Sequence, residues 1–486
     1  MRPASAGIWL VSIVTFLHLI LAFHTELGVD EAHYALYGLH PDWSYFDHPP
    51  MVGWLQILPM ALIPTDWGAR LVPIALFVVL NFLLYRVPEK LFSADGNSRQ
   101  DAQWIGFWSL ILLNSSTLFS LMGFGLLPDL PLMVFTLLLV LVVHSMLQHP
   151  SGDIPLRLWV FLGILVGLAA LAKYTAVTLV ASLMLVMLAA GRWDWLKAKG
   201  LWLAVAIALL LITPILYWNG IHDWASFQYQ IEHGAGKNQW LLKNFIRSQA
   251  IQLVSYTPLI YFIGYWMLMK PDNYRQQSSR LLILFALPVI LLFAWGSGFE
   301  ESLPHWLSLA WLLLIPLIAK TLWQRRRISW IKYSAAGLLM LFTALNISLQ
   351  SLLYSFWYPF QDNENPFKTE YGWPQAMQKA QQLQKQHGEE RIFVGNWSYA
   401  SRSAWYLKPQ AIFIANSKQT QFPFWFPQAP QGATGLLVQP AYDKEMPVGN
   451  QPYQFASCHR IDQLSLREHD RLVVNYDYYR CEGFHY

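Results

Sequence analysis

The feature that most constrains this chain is a succession of about eleven apolar runs, each close to the roughly 20 residues a helix needs to cross about 30 Å of hydrocarbon. They fall at approximately 7–23, 69–86, 104–122, 130–147, 157–172, 174–190, 201–217, 246–269, 281–296, 304–320 and 333–355. With 55% hydrophobic and only 13% charged residues among 486, the chain cannot be the surface and core of a soluble protein. A polytopic α-helical membrane protein with about eleven transmembrane helices is expected. The first run lacks an Ala-x-Ala cleavage site after it and is read as a retained helix, not a signal peptide.

Charge sets the orientation, because short cytoplasmic loops collect Lys and Arg. One set of alternate connections carries Arg86, Lys90 and Arg99, then Arg157, then Arg192, Lys197 and Lys199, then Lys270, Arg275 and Arg280, then Lys320, Arg325, Arg326, Arg327 and Lys332. That face is read as cytoplasmic. The opposite face has only Arg70, Lys173, Lys237, Lys243 and Arg247 as candidates to hold an anion. Arg70, Lys243 and Arg247 also suit ordinary snorkelling near helix ends. Lys173 differs: it sits between two apolar runs, where an ionisable group costs several kcal/mol unless paired or wetted.

After residue 355 the pattern changes to polar, turn-rich sequence with no run long enough to span. The expected division is a membrane domain, 1–355, with an outer loop at 24–68, and a small extracytoplasmic α/β domain, 356–486. Within the latter a helix is expected at 374–386 and strands at 391–394, 411–414, 435–438 and 471–474. Both cysteines, Cys458 and Cys481, lie there, on the side where disulfides persist, and are expected to be bonded.

The outer loop has no Lys or Arg between Arg2 and Arg70, yet carries two acidic clusters, Gly28-Val-Asp-Glu-Ala-His-Tyr34 and Tyr45-Phe-Asp-His-Pro-Pro50. Asp30 would open a short surface helix, where it could equally be the N-cap. Asp47 and His48 sit in chain stiffened by two prolines. Such a set suits a general base with its orienting partners, or hard ligands to a divalent metal, with Asp47 and His48 as the possible pair. The residues do not decide between the two.

Across the whole chain, Asp30-Glu31, Tyr45-Phe-Asp-His-Pro-Pro50, Gly125-Leu-Leu-Pro-Asp-Leu-Pro-Leu132, Gly167-Leu-Ala-Ala-Leu-Ala-Lys-Tyr174, Trp218-Asn-Gly-Ile-His-Asp-Trp224 and Pro304-His-Trp306 form an ordered series. It resembles that of bacterial glycosyltransferases related to protein O-mannosyltransferases and to the aminoarabinose transferase of lipid A. The resemblance implies a GT-C fold, a polyprenyl-phosphate-linked sugar donor, a lipid or glycan acceptor of the envelope, reaction at the periplasmic face of a bacterial inner membrane, and inversion at the anomeric carbon. It gives Asp30 the role of general base, with Asp47 at the acidic position of the second motif, where the lipid A enzymes often have glutamate followed by lysine rather than His48. Lys173 would face the donor phosphate, with Arg247, Lys237 and His305 as further candidates. Glu31, Tyr45, His48, Asp129 and Tyr174 would line the substrate cavity, although Leu-Pro-Asp-Leu-Pro around Asp129 is also good turn chemistry. A protein acceptor, or a transporter or flippase of a lipid-linked or polar solute, is the alternative; the chain shows no convincing repeat of the kind transporters carry. No nucleic-acid partner is expected.

Overall fold

The computed structural model describes residues 2–150, 152–234, 239–299, 302–355, 362, 364, 368–389 and 391–486. It divides into two compact units: Met1–Ile20 with Trp43–Val52 and Leu71–Ser348, and Leu21–Asp42 with Gly53–Arg70 and Leu349–Tyr486.

The first unit is helical throughout, and helices occupy all the regions where apolar runs occur. Among the described residues, six helices are long and apolar enough to cross a membrane, or up to eight if each of two bent pairs is one span, against the about eleven expected. Three of the runs are interrupted for local reasons. The run 246–269 divides into Leu242–Tyr256 and Pro258–Met269, bent by 117°. Thr257 precedes a proline, which disfavours helical backbone, and adopts φ 76°. Pro214 lies beside a gentler 44° bend between Lys199–Leu211 and Thr213–Ile221. The run 104–122 breaks at Ser116, which is extended between Arg99–Ser115 and Thr117–Met122.

Small residues set how closely helices approach in the absence of a hydrophobic drive. A Cβ added at Gly163 would fall 2.5 Å from the Ala204 carbonyl oxygen, and one at Gly167 would fall 2.7 Å from Leu211. The helices Leu156–Ala172 and Lys199–Leu211 therefore touch backbone to side chain. Elsewhere Ile8, Phe16, Phe82 and Leu210 stay exposed on helix faces, which water would penalise and lipid would not.

The second unit is built on a mixed five-stranded sheet in the order β2-β1-β3-β5-β4, where β1 is Ile392–Val394, β2 Ile412–Ile414, β3 Ala433–Pro440, β4 Ser457–Glu468 and β5 Arg471–Phe484. β1 pairs in parallel with β2 and β3, and β5 pairs antiparallel with β3 and β4. The helix Trp373–His387 lies within a residue of its expected bounds at each end. β4 and the helix Trp397–Leu407 were not expected from the sequence.

Cys458 and Cys481 face each other across β4 and β5 and are disulfide-bonded, as expected. Cys481 is buried with Phe393, Leu437, Phe455 and Phe484. The bond closes a separation of 23 residues, which chain-entropy reasoning makes worth about 3 kcal/mol. Replacing both cysteines by serine is expected to lower the thermal unfolding midpoint of this unit, and peptide mapping without reductant is expected to recover one cross-linked pair and no free thiol.

Candidate active site

In the membrane unit the chemistry collects around Lys173. The apolar run stops there because Lys173 leaves helical geometry, at φ −157° and ψ 141°, between Leu156–Ala172 and a short 3-10 turn, Tyr174–Ala176. That break sends an ammonium inward. Lys173 Nζ donates to both carboxylate oxygens of Asp129, each at 2.8 Å, and both side chains are almost fully buried. Asp129 is the first residue of the helix Asp129–Leu147, following Pro128. The imidazoles of His305 and His48 also lie within electrostatic reach of Asp129.

His305 is held by its own turn. Pro304–Leu307 is a 3-10 turn leading into Ser308–Gln324. The Pro304 carbonyl accepts from Tyr256 Oη at 3.0 Å and from Gln252 Nε2 at 3.1 Å, and Trp311 Nε1 donates to Gln252 Oε1 at 2.9 Å. Gln252, Tyr256 and Trp311 have no polar motif around them, and only their depth in an apolar run marks them in the sequence.

The Tyr45–Pro50 segment is pinned from the 219–230 region. Ser226 Oγ donates to the Tyr45 carbonyl at 2.8 Å, Gln230 Nε2 donates to the Asp47 carbonyl at 2.8 Å, and the rings of Phe46 and Tyr229 lie 4.7 Å apart. Residues Ala225–Gly234 of this region form a helix. Asn219, from the fifth motif, accepts from the Ser226 amide at 3.1 Å. His48 Nδ1 lies 3.2 Å from Asp47 Oδ2, both partly open to solvent. The hydroxyl of Tyr174 is buried beside Ser44, Asn219 and Ser226 with no well-formed hydrogen bond, and feels the Asp47 charge.

Among the described residues no three His, Cys, Asp or Glu side chains are grouped to hold a metal ion, so Asp47 and His48 stand as two donors without a third. Arg247 is exposed on the helix Leu242–Tyr256. Lys237 lies outside the described residues. Beside Tyr174 opens an apolar groove of about 630 Å³ between Leu156–Ala172, Val177–Ala189 and Lys199–Leu211, lined by side chains such as Val166, Val180, Met184 and Phe227.

Asp30 and Glu31 belong to the second unit, in the first turn of the helix Val29–Leu39. The N-cap is Gly28, not Asp30; Glu31 does the capping, its Oε2 accepting from the Gly28 amide at 2.9 Å. Arg70, only 2% exposed, is committed to this loop: Nε donates to Glu31 Oε1 at 2.8 Å and Nη2 to Glu31 Oε2 at 2.7 Å. Its remaining donors reach Thr25 O and Oγ1, each at 2.7 Å, and Glu26 O at 2.8 Å. Glu31 is thereby a positioning residue beside Asp30. Asp66 accepts from Trp405 Nε1 at 2.6 Å and Tyr406 Oη at 2.9 Å, which fixes the helix Trp397–Leu407 on the same block.

Residues 47–218 match the family model of dolichyl-phosphate-mannose-protein mannosyltransferases. The lipid A galacturonosyltransferase RgtD of Rhizobium johnstonii is 24% identical over 316 residues, and the match covers 63% of this chain and 63% of that relative, under two thirds of its length. ArnT from Cupriavidus metallidurans, solved with undecaprenyl phosphate bound, superposes with a TM-score of 0.61 at 14% identity, covering 97% of both chains. Its apo form gives 0.62 at 13% identity with the same coverage. The chain shares the fold of these ArnT structures and is similar to lipid A and aminoarabinose transferases.

Two buried ionisable groups have direct consequences for stability. The first is Glu26, whose Oε1 and Oε2 accept from the amides of Gly372 and Trp373 at 2.9 and 3.0 Å, at the start of the helix Trp373–His387. Burial pushes its carboxyl up to about 7 from the ordinary 4.5, against the pull of those two amides. A raised folded-state value means the contribution is complete below about 4.5 and is lost as pH rises through about 7. The unfolding midpoint of the second unit is therefore expected to fall from pH 5 to pH 8, and Glu26→Gln to flatten that dependence in the same thermal scan.

The second is the Lys173–Asp129 pair. Asp129→Leu leaves a buried ammonium without its partner and is expected to cost about 3–5 kcal/mol. Adding Lys173→Met to that variant is expected to restore most of the loss, as read from thermal unfolding in nanodiscs.

Proposed function

We propose that this chain is an integral-membrane glycosyltransferase of the bacterial inner membrane. It transfers a sugar from a polyprenyl-phosphate donor to an envelope lipid or glycan on the periplasmic face, with residues 356–486 as its extracytoplasmic domain. The observation that carries the reading is the buried Lys173–Asp129 pair beside the apolar groove of about 630 Å³. A lipid-linked phosphate needs an apolar trough for its tail and a fixed cation for its head, and here the two adjoin through the neighbouring residues Lys173 and Tyr174. The likeness to an ArnT solved with undecaprenyl phosphate supports the same donor class. The likeness to a lipid A galacturonosyltransferase supports a lipid acceptor over a protein one.

In the proposed reaction the Asp30 carboxylate takes the proton of the acceptor hydroxyl or amine. The acceptor atom bonds to the anomeric carbon from the face opposite the phosphate, which inverts that centre. The bond from carbon to phosphate oxygen breaks, and its electron pair leaves with the polyprenyl phosphate. Lys173 opposes the charge gathering on that leaving oxygen, a fixed contact in a dry site being worth about 10²–10³ in rate. Arg247 is a further cation for the donor and His305 a hydrogen-bonding ring, while Tyr45, His48, Asp47 and Tyr174 shape the cavity. Lys173 begins paired, so donor binding exchanges one anionic partner for another and leaves no bare cation in the membrane.

The decisive assay incubates purified protein in nanodiscs with a synthetic polyprenyl-phosphate sugar and lipid A, and follows free polyprenyl phosphate and acceptor mass. Transfer is expected with wild type, with a loss of about 10²–10³ in Lys173→Ala and near-complete loss in Asp30→Asn at normal folding. Full turnover by Asp30→Asn would remove the base assignment. Transfer to a peptide but not to lipid A would move the acceptor class to protein, and donor movement without bond cleavage would make the protein a flippase.

A further inference from the structure

The second unit holds a cavity that the reaction above does not use. It lies along β2, the edge strand of the sheet, under the 416–428 segment, with a volume of about 290 Å³. This is at the small end of the about 300–1,000 Å³ usual for ligand sites, the size for one or two rings rather than an extended chain. Its wall is aromatic: Phe413, Phe426 and Tyr453, each partly exposed. Its rim is carboxamide and hydroxyl, from Gln419, Thr420 and Gln428. The shape of the rim is fixed locally, since Asn416 Oδ1 accepts from the Lys418 amide at 2.9 Å and Thr420 Oγ1 from the Phe422 amide at 3.4 Å.

Each class of ligand meets this lining differently. A wholly apolar ligand would strip water from the Gln419 and Gln428 carboxamides, which are exposed and have no partner among the described residues, and give nothing back. A phosphate or carboxylate would find one cation, Lys418, and no other charged side chain in the lining. A pyranose matches both surfaces. Its flat face presents C–H bonds made electropositive by the ring hydroxyls to the negative face of an aromatic ring. Its edge presents paired donor and acceptor hydroxyls, which a carboxamide can meet with one donor and one acceptor at once.

The cavity is tied to the helix that carries Asp30. The ring of Phe426 packs edge-on against His40, 5.5 Å away, and His40 ends the helix Val29–Leu39. Trp425, next in sequence, stacks on the same histidine at 5.3 Å. Pocket wall and helix are one packed block within this unit.

We infer that the cavity bounded by β2 and the 416–428 segment is a saccharide subsite that holds a sugar ring of the acceptor, separate from the sugar being transferred. The acceptor part of this inference rests on the transfer reaction proposed above, but sugar binding does not require transfer. The test titrates the water-soluble oligosaccharide released from lipopolysaccharide by mild acid into full-length protein in nanodiscs, read by calorimetry and by saturation-transfer NMR. Saturable binding is expected, weakened at least about fivefold, roughly 1 kcal/mol, in the exposed-rim variant Gln419→Ala with Gln428→Ala and in Phe426→Leu, and unchanged in Lys173→Ala. No binding, or binding that ignores both the rim and Phe426 substitutions, would overturn it, as would displacement of the sugar by an unrelated peptide. Because Lys173→Ala is read for binding and not turnover, a protein that binds sugar yet transfers none would leave this subsite standing while the reaction falls.

Discussion

The buried ion pair between Lys173 and Asp129 is the constraint around which the membrane unit is arranged. Two ions taken out of water cost several kcal/mol each, and only close, well-aligned contact returns that. Here both carboxylate oxygens meet the ammonium at 2.8 Å. To make that contact the chain gives up helix continuity at Lys173 and begins another helix at Asp129, so two backbone irregularities meet at one charge pair. A break in a membrane helix has to be satisfied from within the protein. The Lys173 amide still reaches Ala169 O at 3.1 Å, and the Lys173 carbonyl accepts from Ala176 at 3.0 Å, so the interruption leaves both of its own backbone groups bonded.

In the second unit Arg70 plays a comparable part. One guanidinium, with its donors spread over Glu31, Thr25 and Glu26, fixes the start of the helix that carries Asp30. The planar fork explains why an arginine and not a lysine is needed: a single ammonium cannot meet a carboxylate in bidentate fashion and two carbonyls at once. Glu26 continues the connection by accepting from the amides of Gly372 and Trp373, the N-cap and first residue of the 373–387 helix. The 24–70 segment is therefore not a loose connection but one with its own buried polar framework.

The parts legible in the sequence were those with a strong single signal. Long apolar runs gave the helices, and the ordered motifs gave the resemblance that the comparisons support. Breaks were harder to read: Thr257-Pro258 has a visible cause, yet hydropathy averages across it. β4 was missed because, as an outer strand in the sheet, it is polar on most positions and shows no apolar alternation. The helix Trp397–Leu407 was missed because its anchors are long-range, Trp405 and Tyr406 bonding Asp66 more than 300 residues earlier. Arg70 was visible as a cation but not as a clamp, since Glu31 lies 39 residues away and two of its other partners are carbonyls, which the sequence does not mark. Ser226, Gln230, Gln252 and Tyr256 position site residues through such carbonyls and are hidden for the same reason.

The pairing of Lys173 also bears on how a lipid phosphate could be admitted. A bare lysine in hydrocarbon would be strongly destabilising, or would lose its proton and with it the charge the reaction needs. Asp129 gives the Lys173 side chain a buried partner. The same carboxylate is then the competitor that a donor phosphate has to outbid, which lowers donor affinity and leaves more of the Lys173 interaction to be realised as charge grows on the leaving oxygen. Interactions that strengthen toward the transition state raise turnover, whereas equal strengthening of the bound ground state does not. In the proposed reaction Asp129 would then be more than the partner that makes Lys173 tolerable in the membrane: it would set how much of that cation's attraction is withheld until the glycosidic bond breaks.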